Sequence, residues 1–333
     1  ECLVNEDILT KSQLPYRVFT PWYNQWLIKL QAMNIELLPA PKATACAITN
    51  DGTLKRLSKH GPSYRDDLWP ASQDYALKRL IQFCENSADD YKQRREYPAI
   101  NGTSLLSPYI AVGALSVRQC LVSLQQASFQ KQQPWLEHTW LKELAWREFY
   151  RYLMHHKPEL AKGAAFNAQK ESVWLDNPHH LRAWQEGRTG FPIIDAAMLQ
   201  LKQTGWMHNR LRMLTASFLC KLLLIDWRKG EAHFMRHLID GDFSSNNGGW
   251  QWSSSTGCDA SPWFRIFNPT LQSQKFDSQG HFIRKMLPQL SELNEKDIHW
   301  PSEQQRINLD YPQPIIDYKA CRERALQWHK STS

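Results

Sequence analysis

The sequence predicts a mainly α-helical protein: an all-helical domain over residues 71–333, after about 70 residues of loops around one helix. Three observations support this. From residue 71 onward, apolar side chains recur almost throughout at helical spacing. After residue 60, no run alternates apolar and polar residues as a half-buried strand does. The chain has 333 residues, 42% of them hydrophobic, which is enough to bury a large core without disulfides or metals.

The helix of the first segment is predicted to begin at Thr20-Pro21, with Thr as the cap and Pro in the first turn. The apolar residues that follow at helical spacing are Trp22, Trp26, Leu27 and Leu30. The Pro-rich stretch over residues 38–62 predicts a connecting segment. Later helices are predicted over residues 72–87, 106–127, 137–155, 178–185, 191–204, 206–225, 229–238 and 278–288.

The composition excludes several classes of protein. A charged fraction of 22% and an aromatic fraction of 12% exclude a disordered chain. No run approaches the roughly 18 apolar residues of a membrane helix. The first residues lack the basic and apolar regions of a signal peptide, and the chain begins at Glu1 rather than Met. We therefore expect a cytoplasmic protein, with no membrane partner, that is a fragment of a longer chain.

The seven cysteines lie far apart with no CxxC pair, so we expect no metal site and no disulfide framework. The formal net charge of +7 is compatible with a nucleic-acid partner, although many proteins of this charge bind none. The fifteen tryptophans are unusual, and several stand in polar company, as in Gly249-Trp250-Gln251-Trp252. Indoles in such places stack on planar ligands or carry electrons more often than they fill a core.

The predicted helix 137–155 has one polar and aromatic face. Trp140, Glu143, Trp146, Arg147 and Tyr150 lie within about 60° of Glu143 on a helical wheel. Glu143 and Arg147 also have the spacing of an i,i+4 ion pair. A solvated face with a salt bridge would not need three aromatic rings, so the pattern favours a binding face.

The predicted helix 206–225 is apolar almost all round, but Asn209, Arg212, Met213 and Ala216 form one stripe. A buried arginine needs a partner, and the acids of the Asp240-Gly241-Asp242 turn are the expected one. This stripe is either a structural ion pair between helices or the lining of a ligand cavity.

The segment Gly102-Thr103-Ser104-Leu105-Leu106-Ser107 places three hydroxyls at a helix start. Free N–H groups and the positive end of the helix dipole make such a start a candidate phosphate site. The signal is weak by itself. The sequence contains no GxGxxG, no GxxxxGK[ST] and no HExxH motif.

Four segments together resemble the photolyase/cryptochrome family, most closely the bacterial class I cyclobutane pyrimidine dimer photolyases. They run over residues 140–150, 189–198, 205–213 and 240–252, from WLKELAWREFY to DGDFSSNNGGWQW. The resemblance covers the chain from about residue 15. It implies an all-helical FAD-binding domain of the photolyase type, preceded over residues 1–70 by the remnant of an α/β antenna domain and its linker.

The resemblance implies a bound FAD. Tyr91 and the loop from Thr103 to Ser107 would hold its phosphates, and Asn246 would offer an amide carbonyl to a protonated flavin N5. Asp240 and Asp242 would lie beside the ribose and the isoalloxazine, with Arg212 paired to Asp240. The full set of cofactor residues implied is Tyr91, Thr103, Ser104, Leu105, Leu106, Ser107, Trp140, Arg147, Arg212, Asp240, Gly241, Asp242 and Asn246.

The resemblance also implies a site for UV-damaged DNA, into which the pyrimidine dimer is flipped. Trp146 and Trp252 would wall the lesion, and Glu143 would bond its base edge and act with Asn246 as the catalytic pair. The DNA-binding residues implied are Arg95, Glu143, Trp146, Arg147, Tyr150, Asn209, Arg210, Met213, Trp252 and Gln272. Arg265 and Lys275 are further basic candidates.

The implied reaction is light-dependent DNA repair by electron transfer from excited reduced FAD, in a monomer associated with the nucleoid. Trp250, Trp227 and Trp174 match the family's electron-transfer chain, whereas Trp184 and Trp206 are expected in the core. A folate or deazaflavin antenna chromophore is doubtful, because most of the antenna domain is absent from this sequence.

Four alternatives remain open at this stage. A cryptochrome-type blue-light receptor would have the same fold, but Asn246, the lesion residues and the missing tail favour repair. Repair of (6-4) lesions is disfavoured, because those relatives have His where Asn209 stands. A repair-impaired fragment would bind FAD without repairing DNA, whereas a helical DNA-binding protein without flavin would lack the chemistry altogether.

Overall fold

A computed structural model of the chain describes residues 8–39, 65–168 and 174–332. Within these ranges the chain is helical, and its only extended pairing is the isolated bridge between Leu9 and Pro15. The mainly helical class predicted from the sequence is therefore confirmed. The helices are α1 Phe19–Ala32, α2 Gln73–Asn86, α3 Tyr91–Arg94, α4 Ser107–Ala111, α5 Val117–Gln130, α6 Thr139–His156, α7 Pro178–Glu186, α8 Pro192–Thr204, α9 Asn209–Ser217, α10 Trp227–His237, α11 Phe243–Ser254, α12 Pro269–Phe276, α13 His281–Met286, α14 Glu303–Asn308 and α15 Tyr318–Thr332.

The first predicted helix is present, but it begins two residues earlier than expected. It starts at Phe19 after Val18, which makes no side-chain cap, so Thr20 is not its cap. Trp22, Trp26 and Leu30 are buried as their spacing predicts. Helix α1 packs on α6. The connecting segment predicted over residues 38–62 lies outside the described residues after Pro39.

Two of the predicted helices are interrupted. The helix expected over 106–127 is divided into α4 and α5 by Gly113, whose φ of 77° is left-handed, and Ser116 then opens α5 with a capping box to Gln119. The helix expected over 206–225 begins only after His208 and changes to a π-helical turn over Phe218–Leu222.

The sequence analysis did not predict α11 over residues 243–254. Asp242 caps this helix by accepting a hydrogen bond from the Ser245 N–H. Gly248 and Gly249 lie in its middle, where glycine lowers helix propensity by about 1 kcal/mol each. Packing against α6, α9 and α10 stabilises it instead.

The buried side chains form two main clusters. The first joins α1, α2, α5 and α6 around Trp22, Leu121 and Phe149. The second joins α7 to α11 and α13 around Trp184 and Trp227. Helix α11 packs on α6 of the first cluster and on α10 of the second. Several of the predicted site residues belong to α6 and α11, the two helices that meet at this junction.

One of the four family-like segments, residues 189–198, has a structural role. Asp195 is fully buried and accepts hydrogen bonds from the Thr189 N–H at 2.7 Å, the Gly190 N–H at 2.9 Å and the Tyr311 hydroxyl at 2.6 Å. These bonds satisfy the buried carboxylate and fix the turn before α8. Burial raises the pKa of Asp195, although the donors oppose the change.

Candidate functional site

Three predicted cofactor segments meet at the Asp240 carboxylate. Arg212 of α9 donates from Nη2 to its two oxygens at 2.7 and 3.0 Å, and the Ser107 hydroxyl donates to Oδ2 at 2.7 Å. The predicted pairing of Arg212 with an acid of this turn is confirmed. The added bond from Ser107 fastens the 102–107 loop to the same carboxylate.

The 102–107 loop is held mainly through its backbone. Arg79 donates to the Ser104 carbonyl at 2.8 Å, and a Cβ added at Gly102 would lie 2.4 Å from the Arg94 carbonyl oxygen, so only glycine allows this approach. The side chains of Thr103, Ser104 and Leu105 are half-buried, and Leu106 is fully buried. The approach of Gly102 to Arg94 places the loop against the end of α3, the helix that begins with the buried Tyr91; the Tyr91 ring packs edge-on against Phe83.

Asp242, two residues beyond Asp240 across Gly241, joins α6 to the start of α11. Its carboxylate accepts hydrogen bonds from Arg151 at 2.7 Å and from the Ser245 N–H at 3.0 Å, and Arg147 lies 3.6 Å away. Burial raises the pKa of Asp242, but the bonds from Arg151 and Ser245 outweigh burial and hold the pKa below its ordinary value. Asp242 is therefore a carboxylate at neutral pH.

Asn246 lies on the first turns of α11 with its amide nitrogen engaged. Nδ2 donates to the Glu231 carbonyl at 3.1 Å. Among the described residues its Oδ1 accepts no hydrogen bond, so the amide presents a carbonyl and not an N–H to a ligand. This orientation fits a cofactor nitrogen that carries a proton.

A buried polar chain that the sequence analysis missed lies behind Asn246. Asn247 donates to the Glu231 carboxylate at 2.8 Å, and Gln251 donates to Asn247 at 2.9 Å and accepts from the Phe166 N–H at 2.7 Å. Burial raises the pKa of Glu231, while the bond from Asn247 opposes this. The only sequence signal was the unusual polarity of the 244–251 run.

The predicted ion pair between Glu143 and Arg147 is wrong. Glu143 pairs with Arg95, which approaches from the end of α3, and Arg147 lies 3.6 Å from both Glu148 and Asp242. The i,i+4 spacing allowed the local pair, but partners on other elements compete for both groups. Arg151, which the sequence analysis did not single out, takes the closest position at Asp242.

The aromatic residues predicted to share one face of α6 differ in burial. Trp140 is buried edge-on against Phe83, with ring centroids 5.0 Å apart. Trp146 is half-buried, and its ring stacks on Phe19 at 3.6 Å with an interplanar angle of 7°. Tyr150 lies 5.5 Å from Trp146 and packs against α11 at Gly248.

The predicted DNA-binding residues on α9 lie together on its outer side. Asn209 is exposed and its Nδ2 lies 3.9 Å from the Met213 sulfur. The Arg210 guanidinium lies 4.3 Å from the centre of the Phe276 ring on α12 and pairs with Glu96. Gln272 is half-buried on α12, and Trp252 is half-buried on α11. Arg265 and Lys275 are exposed.

The three predicted electron-transfer tryptophans belong to the second core. Trp227 and Trp250 are buried, and Trp174 is partly buried against the same cluster. The Trp250 ring lies 6.0 Å from Trp184 and 5.0 Å from Phe234. Trp184 is a core residue, as expected, but Trp206 is only half-buried beside Trp69.

In the described ranges, no helix is both long and apolar enough to span a membrane.

Comparisons with known proteins point to one family. The family described as FAD binding domain of DNA photolyase matches residues 140–331. The chain is 48% identical to the deoxyribodipyrimidine photo-lyase of Escherichia coli over 96% of this chain and 68% of that protein. It is 43% identical to the protein of the same name from Vibrio cholerae, over 97% of this chain and 70% of the relative.

Solved structures give the same result for the fold. A bacterial class III photolyase from Agrobacterium tumefaciens has a TM-score of 0.85 and 36% identity, covering 99% of this chain and 71% of that one. A cryptochrome from Synechocystis has a TM-score of 0.78 and 27% identity, covering 97% of this chain and 71% of that one. The chain belongs to the DNA photolyase family and carries the FAD-binding domain of that family.

Proposed function

We propose that the junction between the two cores holds FAD beside a flipped-out cyclobutane pyrimidine dimer. The chain is an enzyme of light-dependent DNA repair, a deoxyribodipyrimidine photo-lyase. The observation that best supports this site is the set of residues on α9. Arg212, bound to Asp240, is adjacent in sequence to Met213, which lies beside the exposed Asn209. Cofactor and lesion residues thus share one helical turn, which favours a short electron path.

The residues at the junction fit FAD. Thr103 and Ser104 supply hydroxyls for its phosphates, and the Asp240 carboxylate, fixed by Arg212 and Ser107, suits a ribose hydroxyl. The Asn246 carbonyl suits a protonated N5 without adding a charge. When bound and excited by blue or near-UV light, reduced FAD would supply the electron that splits the dimer, and the electron would then return to the flavin.

The lesion side consists of Glu143, Trp146, Asn209, Met213 and Trp252. The stack on Phe19 fixes the orientation of the Trp146 ring, so the ring is a preorganised wall for the two linked pyrimidines of the dimer. Glu143 offers a carboxylate to the N–H of a base edge. Arg95 and Arg210 lie beside this pocket, where DNA phosphates would pass.

No proton transfer from a side chain is needed in this cycle. Trp250, Trp227 and Trp174 would carry an electron to oxidised FAD through the second core. Their common cluster supports this role.

The remaining parts of the proposal concern organisation. Residues 71–333 form the FAD- and lesion-binding domain, and residues 1–70 precede it and contribute α1 to its core. The protein acts as a monomer on UV-damaged DNA in the nucleoid. An antenna chromophore is not part of the proposal.

The test is repair of an oligonucleotide that contains one thymine dimer, by the reduced protein under blue light with a dark control. Glu143→Ala should lower the repair rate about tenfold or more while FAD absorbance stays, because a hydrogen bond to a charged group is lost. Glu137→Ala, which removes an exposed glutamate before α6, is the control. FAD binding without any light-dependent repair would instead support the blue-light receptor or an impaired fragment, and absence of flavin would support a DNA-binding protein alone.

A further inference from the structure

Four charged side chains form a continuous cluster at the edge of the proposed lesion pocket, which we name the rim cluster. It consists of Glu143, Arg95, Glu96 and Arg210. Glu143 pairs with Arg95, Arg95 Nε lies 3.5 Å from Glu96, and Glu96 pairs with Arg210. The order of charges is therefore acid, base, acid, base. All four side chains are 18 to 33% exposed, so DNA can reach them.

The rim cluster is neutral as a whole, because two carboxylates match two guanidinium groups. A DNA phosphate that reaches Arg210 adds a third anion and leaves one anion without a cation. Arg210 stays in place when Glu96 leaves it, because its guanidinium lies 4.3 Å from the centre of the Phe276 ring. The competition between Glu96 and a phosphate for Arg210 therefore needs little rearrangement.

A lesion changes this balance. If Glu143 accepts a hydrogen bond from the base edge of a flipped dimer, it withdraws from Arg95. Arg95 can then form a close ion pair with Glu96, and Arg210 becomes available to a phosphate. Each guanidinium then has one anion, Glu96 at Arg95 and the phosphate at Arg210, while the N–H of the base satisfies the Glu143 carboxylate. On undamaged DNA, Glu143 stays on Arg95, and phosphate binding at Arg210 leaves Glu96 without a full partner.

We propose that Glu96 is a specificity-determining residue that makes phosphate binding at Arg210 conditional on engagement of Glu143 by the lesion. This inference rests on the proposed function, in which Arg95 and Arg210 face DNA and Glu143 faces the dimer. Glu96 lowers the affinity for undamaged DNA and leaves the affinity for damaged DNA nearly unchanged. The protein discriminates against undamaged DNA because binding of that DNA leaves the Glu96 carboxylate without a full partner.

The experiment compares wild type with Glu96→Gln, which keeps the shape and removes the charge. Binding to two duplexes of the same sequence, one with a thymine dimer, is measured between 50 and 200 mM salt, roughly the range over which phosphate contacts weaken strongly. We expect Glu96→Gln to bind the undamaged duplex about fivefold more tightly and the damaged duplex with less than a twofold change. For undamaged DNA, the slope of log K against log salt concentration should become steeper by about one. Glu186→Gln, in an exposed pair with Arg188, is the matched control for the change in net charge.

Three results would overturn the proposal: equal gains on both duplexes, the same gain in Glu186→Gln, or a gain that persists in Glu96→Gln/Arg210→Ala. Thermal unfolding of each variant excludes misfolding as the cause of a change. If the wild-type protein neither prefers nor repairs the damaged duplex, the proposed function itself fails. If it does both while Glu96→Gln keeps the same preference, only the role of Glu96 fails.

Discussion

His208, immediately before the proposed lesion residues of α9, is buried with 2% of its surface exposed. It caps the helix, since its Nδ1 accepts a hydrogen bond from the Arg210 N–H at 3.2 Å. Burial, followed by the positive charge of Arg212, lowers the pKa of His208 to about 4. The ring is therefore neutral in the folded protein at physiological pH.

The depressed pKa predicts a loss of stability in acid. An unfolded histidine has a pKa near 6.5, so between pH 6.5 and 4 the unfolded chain binds a proton that the folded chain does not. The contribution of His208 to stability is complete above this window and declines as the pH falls through it, by about 2 kcal/mol at pH 5. His208→Asn keeps a capping acceptor and cannot titrate.

Urea unfolding of wild type and His208→Asn at pH 7.5 and 5 measures this effect. The stability of wild type relative to the variant should fall by about 2 kcal/mol between the two pH values. A difference in unfolding free energy that is the same at both pH values would show that His208 titrates alike in both states.

At the scale of the element, α11 shows how two neighbouring glycines differ. A Cβ added at Gly248 would lie 2.1 Å from Tyr150 Cδ1, whereas one added at Gly249 would meet nothing within 4 Å. Gly248 therefore sets the close approach of α11 to α6, and with it the position of Asn246 relative to Glu143. Gly249 has no such role within the described structure.

The pair gives a controlled prediction for stability. Gly248→Ala should destabilise the protein by about 1–3 kcal/mol, because the aromatic ring must move. Gly249→Ala should stabilise it by up to about 1 kcal/mol, because alanine is the better helix former. Denaturant unfolding of the apoprotein measures both, and equal effects of the two substitutions would contradict the packing described at Gly248.

These elements also show what the sequence could predict. Spacing of apolar residues located α1, α6, α7 and α8 within one to three residues, because burial of one face determines them. It failed for α11, where tertiary packing overrides two glycines, and for the 106–127 helix, which Gly113 interrupts. The Arg212–Asp240 pair followed from the cost of an unpaired buried arginine, whereas the Arg95–Glu143 pair joins segments whose proximity only the fold determines.

At the scale of the whole molecule, the proposed cofactor site bridges the two cores. Ser107 bonds to Asp240, and Arg151 of α6 bonds to Asp242 at the start of α11. A ligand held by Tyr91 and the 102–107 loop on one side and by Arg212 and Asn246 on the other would connect both clusters. It would bind the folded chain and not the unfolded one.

FAD removal should therefore lower the Tm, and the Tm should rise with FAD concentration. A free concentration of one hundred times the Kd adds about 2.7 kcal/mol to the free energy of unfolding, which corresponds to a few degrees in a chain of this size. At the same free concentration, riboflavin, which shares the isoalloxazine but lacks the phosphates and adenosine, should give a smaller shift. Equal shifts for FAD and riboflavin would show that the 102–107 loop binds no phosphate, and a Tm independent of FAD would show that the junction holds no flavin. The smaller riboflavin shift, by contrast, would mean that the loop of the first core and the helices of the second act on one ligand.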